Sequence, residues 1–411
     1  NVYRPVRIVS FDQEKGSLTL RNYLDFTDIQ KEIEICYEVS CDGVCRQSGV
    51  LPACSIKPGQ TGTLPLPITI PESGRAYLKL TYYQKRERLL VPEGSLLGYE
   101  EYPLKTGDDR NQTACRLLKA PKTGPKPVTV RERDEAVLLE GEGFAYDFDK
   151  RTGLFEGLWF EGRQYFNRPM ELNIWRAPTD NDMYRKKEWK RAQYDRAYAR
   201  AYSTEIRQTD AGVEIQSSMS MGAAAVQTIM KLEVLWRVGR DGSLQAAFSV
   251  KRNPEFPELP RFGIRLFLKE DLNQVSYYGM GPWESYRDKH RASVHGLYQA
   301  PVCKLMEDYL RPQENGSHLD CDYVILSGGA YSLTAVSGTP FSFNASVYTQ
   351  EELERKAHNY ELEPSDSTVL CLDYAQNGIG SNSCGPRLLE KYQFREEAFT
   401  FDIKLVPLKK Q

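Results

Sequence analysis

Along this chain apolar residues recur at every second position far more often than at helical spacing, so the pattern predicts strands. In the first part of the chain the expected strands are Val6–Phe11, Ser17–Asn22, Glu32–Val39, Val44–Leu51 and Arg75–Tyr83. Turn signals join them in pairs: Glu14-Lys15-Gly16 links the first two, and Asp42-Gly43 the next two. Short strands punctuated in this way predict a small antiparallel sandwich over residues 1–121. The stretch 119–128 is rich in Pro, Lys and Gly and is expected to be the connector to a second domain, 129–411.

In that second stretch the alternation resumes. Strands are expected at Val128–Arg131, Ala136–Glu140, Phe144–Asp149 and Leu154–Phe160, then at Ser203–Gln208, Val213–Ser218, Ala224–Val238 and Leu244–Lys251. Further strands are expected at Arg261–Phe267, Asn273–Tyr278, Asp322–Ser327, Ser332–Ser337, Ser342–Val347 and Phe399–Val406. Only two helices are expected: a polar one over Tyr184–Tyr202, and a short one over Gln350–Asn359. Thr349 would cap the second, with Glu352 completing a capping box. No strand–helix rhythm runs through these residues, so one large antiparallel sandwich is expected and the fold class is all-β.

Four loops concentrate polar and aromatic residues. The first is Trp175-Arg176-Ala177-Pro178-Thr179-Asp180-Asn181-Asp182, between a strand-like run and the expected polar helix. Pro178 stiffens it, and Asp180, Asn181 and Asp182 can fold back onto backbone N–H groups. The loop either binds a polar, ring-shaped ligand, completes a neighbour's pocket, or only caps the helix that follows. The second runs from Tyr278 to Asp288 and displays Trp283, Glu284 and Tyr286. Aromatic faces beside a carboxylate suit a sugar, and equally suit packing within the loop. The third, Tyr309 to Gly316, places Gln313, Glu314 and Asn315 together, as a site edge or a structural turn. The fourth, Asn377 to Pro386, is a long polar loop without the Lys and helix N-terminus that phosphate binding needs. Glu284 and Glu314 are candidates for a carboxylate pair. Asp180 and Asp182 are too close in sequence to flank a sugar ring. His290, His295, His318 and His358 show no metal spacing.

Composition narrows the function classes. With 54 basic against 56 acidic residues the net charge is −2, which gives no reason to expect nucleic acid as a partner. No apolar run approaches the roughly 20 residues of a membrane-spanning helix. The abundant aromatics, 25 Tyr and 16 Phe, fit strands and sugar-stacking surfaces. The nine Cys are scattered and odd in number, so free thiols in a reducing cytosol are expected rather than a disulfide framework. Cys36, Cys41, Cys45 and Cys54 lie close together but lack paired CxxC knuckles, and a zinc site there stays open. The N-terminus, Asn1-Val2-Tyr3-Arg4-Pro5, is neither a Met start nor a signal peptide and reads as a position inside a longer protein.

Taken together, the loops resemble a known family. Trp175 to Asp182, Gly279-Met280-Gly281-Pro282-Trp283-Glu284-Ser285-Tyr286, Pro312-Gln313-Glu314-Asn315-Gly316, Phe343-Asn344-Ala345-Ser346, and Gly378-Ile379-Gly380 with Ser383-Cys384-Gly385-Pro386 look like segments of the C-terminal domain of large bacterial β-galactosidases, in glycoside hydrolase family 2. They occur in that family's order. The N-terminal sandwich resembles the immunoglobulin-like domain that precedes it. The resemblance implies that the large domain is a β-supersandwich similar to galactose mutarotase, and that its loops reach the entrance of an active site built by an upstream (β/α)8 barrel. In that family the catalytic glutamates belong to the barrel, the acid/base within an Asn-Glu dipeptide, and this sequence contains no Asn-Glu. No catalytic residue is therefore expected here.

The residues that the resemblance implies near substrate are Arg176, Asp180, Asn181, Asp182, Ser383 and Cys384. Cys384 stands where some members present a Trp to the aglycone, in a loop one residue shorter, which implies a roomier acceptor subsite. The resemblance further implies a terminal β-D-galactoside such as lactose as substrate and the upstream barrel as partner. It implies a cytoplasmic location and often a homo-oligomer. No cofactor is implied in this stretch; Mg and Na in such enzymes are held mainly by other domains. A free-standing carbohydrate-binding module and a mutarotase-like aldose epimerase are the alternatives.

Overall fold

In the computed structural model, residues 1–119, 126–380 and 383–410 are described. Much of the expected connector, 120–125, and Ser381 and Asn382 of the fourth loop lie outside them. The chain forms two compact units. One comprises Asn1–Arg116 with Arg291–Leu297, the other Leu117–His290 with Tyr298–Gln411.

The first unit is a sandwich. A three-stranded antiparallel sheet pairs Val6–Asp12, Ser17–Asn22 and Thr61–Pro65 in that order. A four-stranded one has the order Val44–Val50, Ile33–Cys41, Ala76–Gln84, Leu96–Leu104. Inward-facing Leu18, Leu20 and Leu64 from one sheet meet Val39, Leu78, Leu80 and Tyr82 from the other in a single buried core. The period of two buries one face of Ser17–Asn22 and of Ile33–Cys41, while Val44–Val50, at the edge of its sheet, has no buried residue. Cys41 is buried and Cys45 exposed, and all nine cysteines are free. Among the described residues no three His, Cys, Asp or Glu side chains stand in metal-binding geometry.

The second unit carries the candidate site. A five-stranded antiparallel sheet, from Thr129–Glu132 to Arg163–Gln164, packs on a twelve-stranded one. The interface is a chain of edge-to-face rings. Tyr146 and Phe155 come from the smaller sheet, and Trp236, Phe248 and Phe262 from the larger, with successive centroids 5.1 to 6.1 Å apart. In the larger sheet the central order is Phe166–Asn173, Arg261–Lys269, Ser367–Gln376, Tyr331–Ser346, Ala398–Lys409. All the strand pairs described are antiparallel and the chain is all-β. Among the described residues no helix is long and apolar enough to cross a membrane.

Several expected elements are corrected. The polar helix over 184–202 shrinks to Arg185–Arg191. Gln193 turns to a left-handed conformation, φ 55°. Trp189 Nε1 donates to the Glu258 carbonyl at 2.9 Å, and Tyr194 Oη to that of Pro257 at 2.7 Å. From Tyr198 onward the chain pairs with Gly212–Gly222, so tertiary hydrogen bonds override a weak helical preference. The strand expected from Ala224 begins at Met230, after a turn. Ser332–Ser337 and Ser342–Val347 are one strand, Tyr331–Ser346. The second helix ends at Arg355, and only half of its capping box forms. Thr349 Oγ1 accepts the Glu352 N–H at 3.1 Å, while the Glu352 carboxylate accepts the Glu363 N–H at 3.0 Å instead. His358 falls outside that helix, at the start of a single turn over Asn359–Glu361, with its ring stacked on Tyr360.

Candidate functional site

All four polar loops and the strand end at Asn344 meet at one end of the second unit. Charged groups that no solvent reaches lie beneath them. The Trp175–Asp182 loop is built around Arg176, which is fully buried. Its Nε and Nη2 donate to the two carboxylate oxygens of Asp182 at 3.1 and 2.7 Å. Nη1 donates to the carbonyl of Asn377 at 2.6 Å, and Nη2 also to that of Gly378 at 3.0 Å. The guanidinium lies 5.2 Å from the Trp189 ring centroid. Asp182 also takes the N–H of Thr179 at 2.9 Å and its hydroxyl at 3.1 Å, closing the turn Asp180–Asp182 onto itself.

A second buried arginine, Arg261, organises the strand ends. Its Nε and Nη2 clasp Asp373, with 3.0 Å for the Nε contact, and Nη1 reaches Glu314 at 2.7 Å. Nη2 also donates to Asn344 Oδ1 at 3.0 Å. Glu314 accepts the Ala177 N–H at 3.2 Å and returns its own N–H to the Ala177 carbonyl at 2.9 Å, so the first and third loops are stitched together. Gln376 Nε2 donates to Asn344, Asp373 and Ser317 at 3.0 to 3.2 Å. Burial pushes the Glu314 and Asp373 carboxyls up from their ordinary range, against the pull of Arg261. Such a network is worth its desolvation only when every member is paired.

Glu284 serves the third loop in the same way. Its buried carboxylate accepts the Tyr309 hydroxyl at 2.6 Å, the Gly316 N–H at 2.9 Å and the Lys289 ammonium. Glu284 and Glu314 therefore anchor the same turn, and every oxygen of both already has a donor. Both side chains are buried, and each of their oxygens holds a loop rather than facing solvent. His318 is buried beside them. Its Nδ1 donates to the Met280 carbonyl at 3.2 Å and lies 2.9 Å from Tyr277 Oη, while Nε2 has no hydrogen-bond partner among the described residues. Burial pushes its pKa down to about 4, so it stays neutral. His290 Nδ1 donates to the Tyr286 carbonyl at 3.2 Å. His295 pairs with Glu101 in the first unit at 2.6 Å.

The expected site residues thus divide into two sets. Arg176 and Asp182 are interior and fully engaged. Asp180, Asn181, Ser383 and Cys384 reach the surface to differing degrees. Asn181 Nδ2 donates to the Ile379 carbonyl at 2.9 Å, and Ser383 Oγ to Asn181 Oδ1 at 3.1 Å, which ties the first loop to the fourth. Asp180 exchanges two hydrogen bonds with the side chain of Gln313, at 3.0 and 3.2 Å. Cys384 is exposed, and Trp283 stands out at 57% exposure. Sequence reasoning missed Arg261, Asp373 and Gln376. Asp373 is the one charge in the apolar run Ser367–Gln376 and must find a partner, but that run shows no alternation that marks it as a strand.

Comparison with known proteins gives the family. The family model described as "Beta galactosidase small chain" matches residues 140–405, and one described as "Beta-galactosidase, domain 4" matches residues 18–105. The β-galactosidase of Actinobacillus pleuropneumoniae is 36% identical over 408 residues, 99% of this chain and 39% of that protein. That of Staphylococcus xylosus is 31% identical over 409 residues, 98% of this chain and 40% of that one. The chain thus spans about two fifths of the length of the relatives it matches. Among solved structures, a putative aldose 1-epimerase of Escherichia coli aligns with 69% of this chain and 99% of its own at 9% identity, with a TM-score of 0.37. A galactose 1-epimerase of Lactobacillus acidophilus aligns with 70% of this chain at a TM-score of 0.35. Scores of this size leave the fold to be described from its own strands. The sequence matches, over both units and through all four loops, place the chain in the β-galactosidase small chain family.

Proposed function

We propose that this chain is the non-catalytic C-terminal part of a cytoplasmic β-galactosidase that hydrolyses terminal β-D-galactosides such as lactose. It lends its loop end to the active-site entrance of an upstream (β/α)8 barrel. In this reading Arg176 and Asp182 position the first loop, and Asp180, Asn181, Ser383 and Cys384 are the groups that meet substrate or the barrel's mouth. The assembled enzyme is a homo-oligomer. The observation that carries the reading is the division within one loop cluster: an inner layer built on the paired charges of Arg176 with Asp182 and Arg261 with Glu314, and an outer rim of short polar side chains. A rigid inner layer is what a contributed site edge requires, because a loop that wanders cannot orient a sugar hydroxyl. The carboxylates at the centre, Glu284 and Glu314, are consumed by structure, so this part supplies shape and hydrogen bonds rather than acid–base chemistry.

The test is hydrolysis of a chromogenic β-galactoside by the purified chain alone and with the upstream region supplied in trans. Turnover only on addition is the expected result. Turnover by the chain alone would overturn the reading. Sugar binding without complementation would favour a stand-alone carbohydrate-binding module.

A further inference from the structure

The fourth loop is fixed by three hydrogen bonds at two successive residues. The Gly378 carbonyl accepts from Arg176, the Ile379 carbonyl accepts from Asn181, and the Ile379 N–H donates to Asp288 Oδ1 at 3.0 Å. The first two partners come from the Trp175–Asp182 loop. Asp288 comes from a different one, the end of the second polar stretch, which nothing above gives a role.

Asp288 does more than accept one hydrogen bond. A β-carbon on Gly378 would stand 2.9 Å from its carboxylate, and one on Gly380 only 2.4 Å from Oδ2. Neither glycine has a positive φ, so what a β-carbon there would crowd is the Asp288 carboxylate and not a strained backbone. Oδ2 is buried and has no hydrogen-bond partner among the described residues. A carboxylate held in that way costs free energy and is kept only where its place matters.

We propose that Asp288 is the positioning residue of the fourth loop. It wedges between the two bare Cα positions of Gly378 and Gly380 and thereby sets where Ser383 and Cys384 stand. Resting on the reading above, in which this loop borders the acceptor side, Asp288 is a specificity-determining residue that never touches the sugar. Its effect falls on acceptor choice and not on cleavage of the galactosyl bond.

Two readouts separate this proposal from the reading beneath it. In the isolated chain, amide hydrogen exchange at Ile379 and the alkylation rate of Cys384, followed by peptide mass spectrometry, report loop position directly. Asp288→Ala is expected to speed exchange at Ile379 about tenfold and to change Cys384 alkylation by a similar factor, as loss of a charge-assisted hydrogen bond implies. Asp288→Asn, which keeps an acceptor oxygen, should restore most of it. Gly380→Ala, which keeps the carboxylate but crowds Oδ2, should break the contact between Asp288 and the loop and covers the case in which Asp288→Ala fails to fold. Exchange and alkylation within twofold of the parent in both folded variants would overturn the proposal. In the enzyme completed in trans, the ratio of galactosyl transfer to an added acceptor over hydrolysis is expected to change in both variants. A freed loop with an unchanged ratio would overturn the specificity role and the acceptor-side reading, while leaving the positioning role standing.

Discussion

Arg176 and Asp182 form a two-pronged ion pair six residues apart, both buried, with N···O distances of 3.1 and 2.7 Å. The pair turns a loop of mixed polar residues into a rigid element. Planar guanidinium and carboxylate meet along two parallel hydrogen bonds, and the remaining Arg176 donors hold the fourth loop. Asp182→Ala leaves Arg176 charged and buried without its counter-ion. The expected loss is about 3 kcal/mol of stability, at the lower end for a broken buried pair. Urea denaturation of the purified chain checks it; a loss below 1 kcal/mol would show that water reaches the guanidinium.

Arg261 is the more demanding case, since it faces two carboxylates. Arg261→Lys keeps the charge but cannot span Asp373 and Glu314 with a planar fork. It is expected to destabilise by about as much as Asp182→Ala, roughly 3 kcal/mol. Full retention of stability by the lysine variant in the same denaturation assay would contradict the geometry.

His318 makes stability depend on pH. Its folded pKa, about 4, lies below the unfolded value of 6.5. Between these values the unfolded chain binds a proton that the folded chain refuses, so stability falls as pH drops from about 6.5 to about 4 and this contribution levels off below. The shift corresponds to about 3 kcal/mol. His318→Gln should flatten the difference in denaturation midpoint between pH 7 and pH 5. An unchanged slope would mean that other groups carry it.

Cys384 is exposed in the fourth loop. Cys384→Trp adds an aromatic face where the proposed acceptor site lies, and in the completed enzyme it is expected to favour aromatic aglycones over lactose. Identical acceptor preferences would remove this residue from the site.

Thr349 caps its helix through one hydrogen bond to the Glu352 N–H. Because the reciprocal half of the capping box is absent, Thr349→Ala should cost only about 1 kcal/mol, measurable by thermal unfolding.

The sequence by itself determined the fold class, the four loops and their order, because these depend on local information. Strands with one face in the core and one in solvent alternate visibly, as in Met230–Gly239, and Gly, Pro, Asn and Asp mark the loops between them. It did not reveal Ser367–Gln376, which lies between two other strands with both faces buried, so its apolar run has no period to read. That strand carries Asp373 and Gln376, and without it the network around Arg261 could not be foreseen. Only tertiary structure decided which carboxylates are free. Asp182, Glu284 and Glu314 read like ligand-binding acids along the chain, but sequence distance says nothing of the donors that folding brings to them. Burial makes an unpaired charge costly, so the fold spends these groups on holding its own loops and leaves the rim to Asp180, Asn181, Ser383 and Cys384.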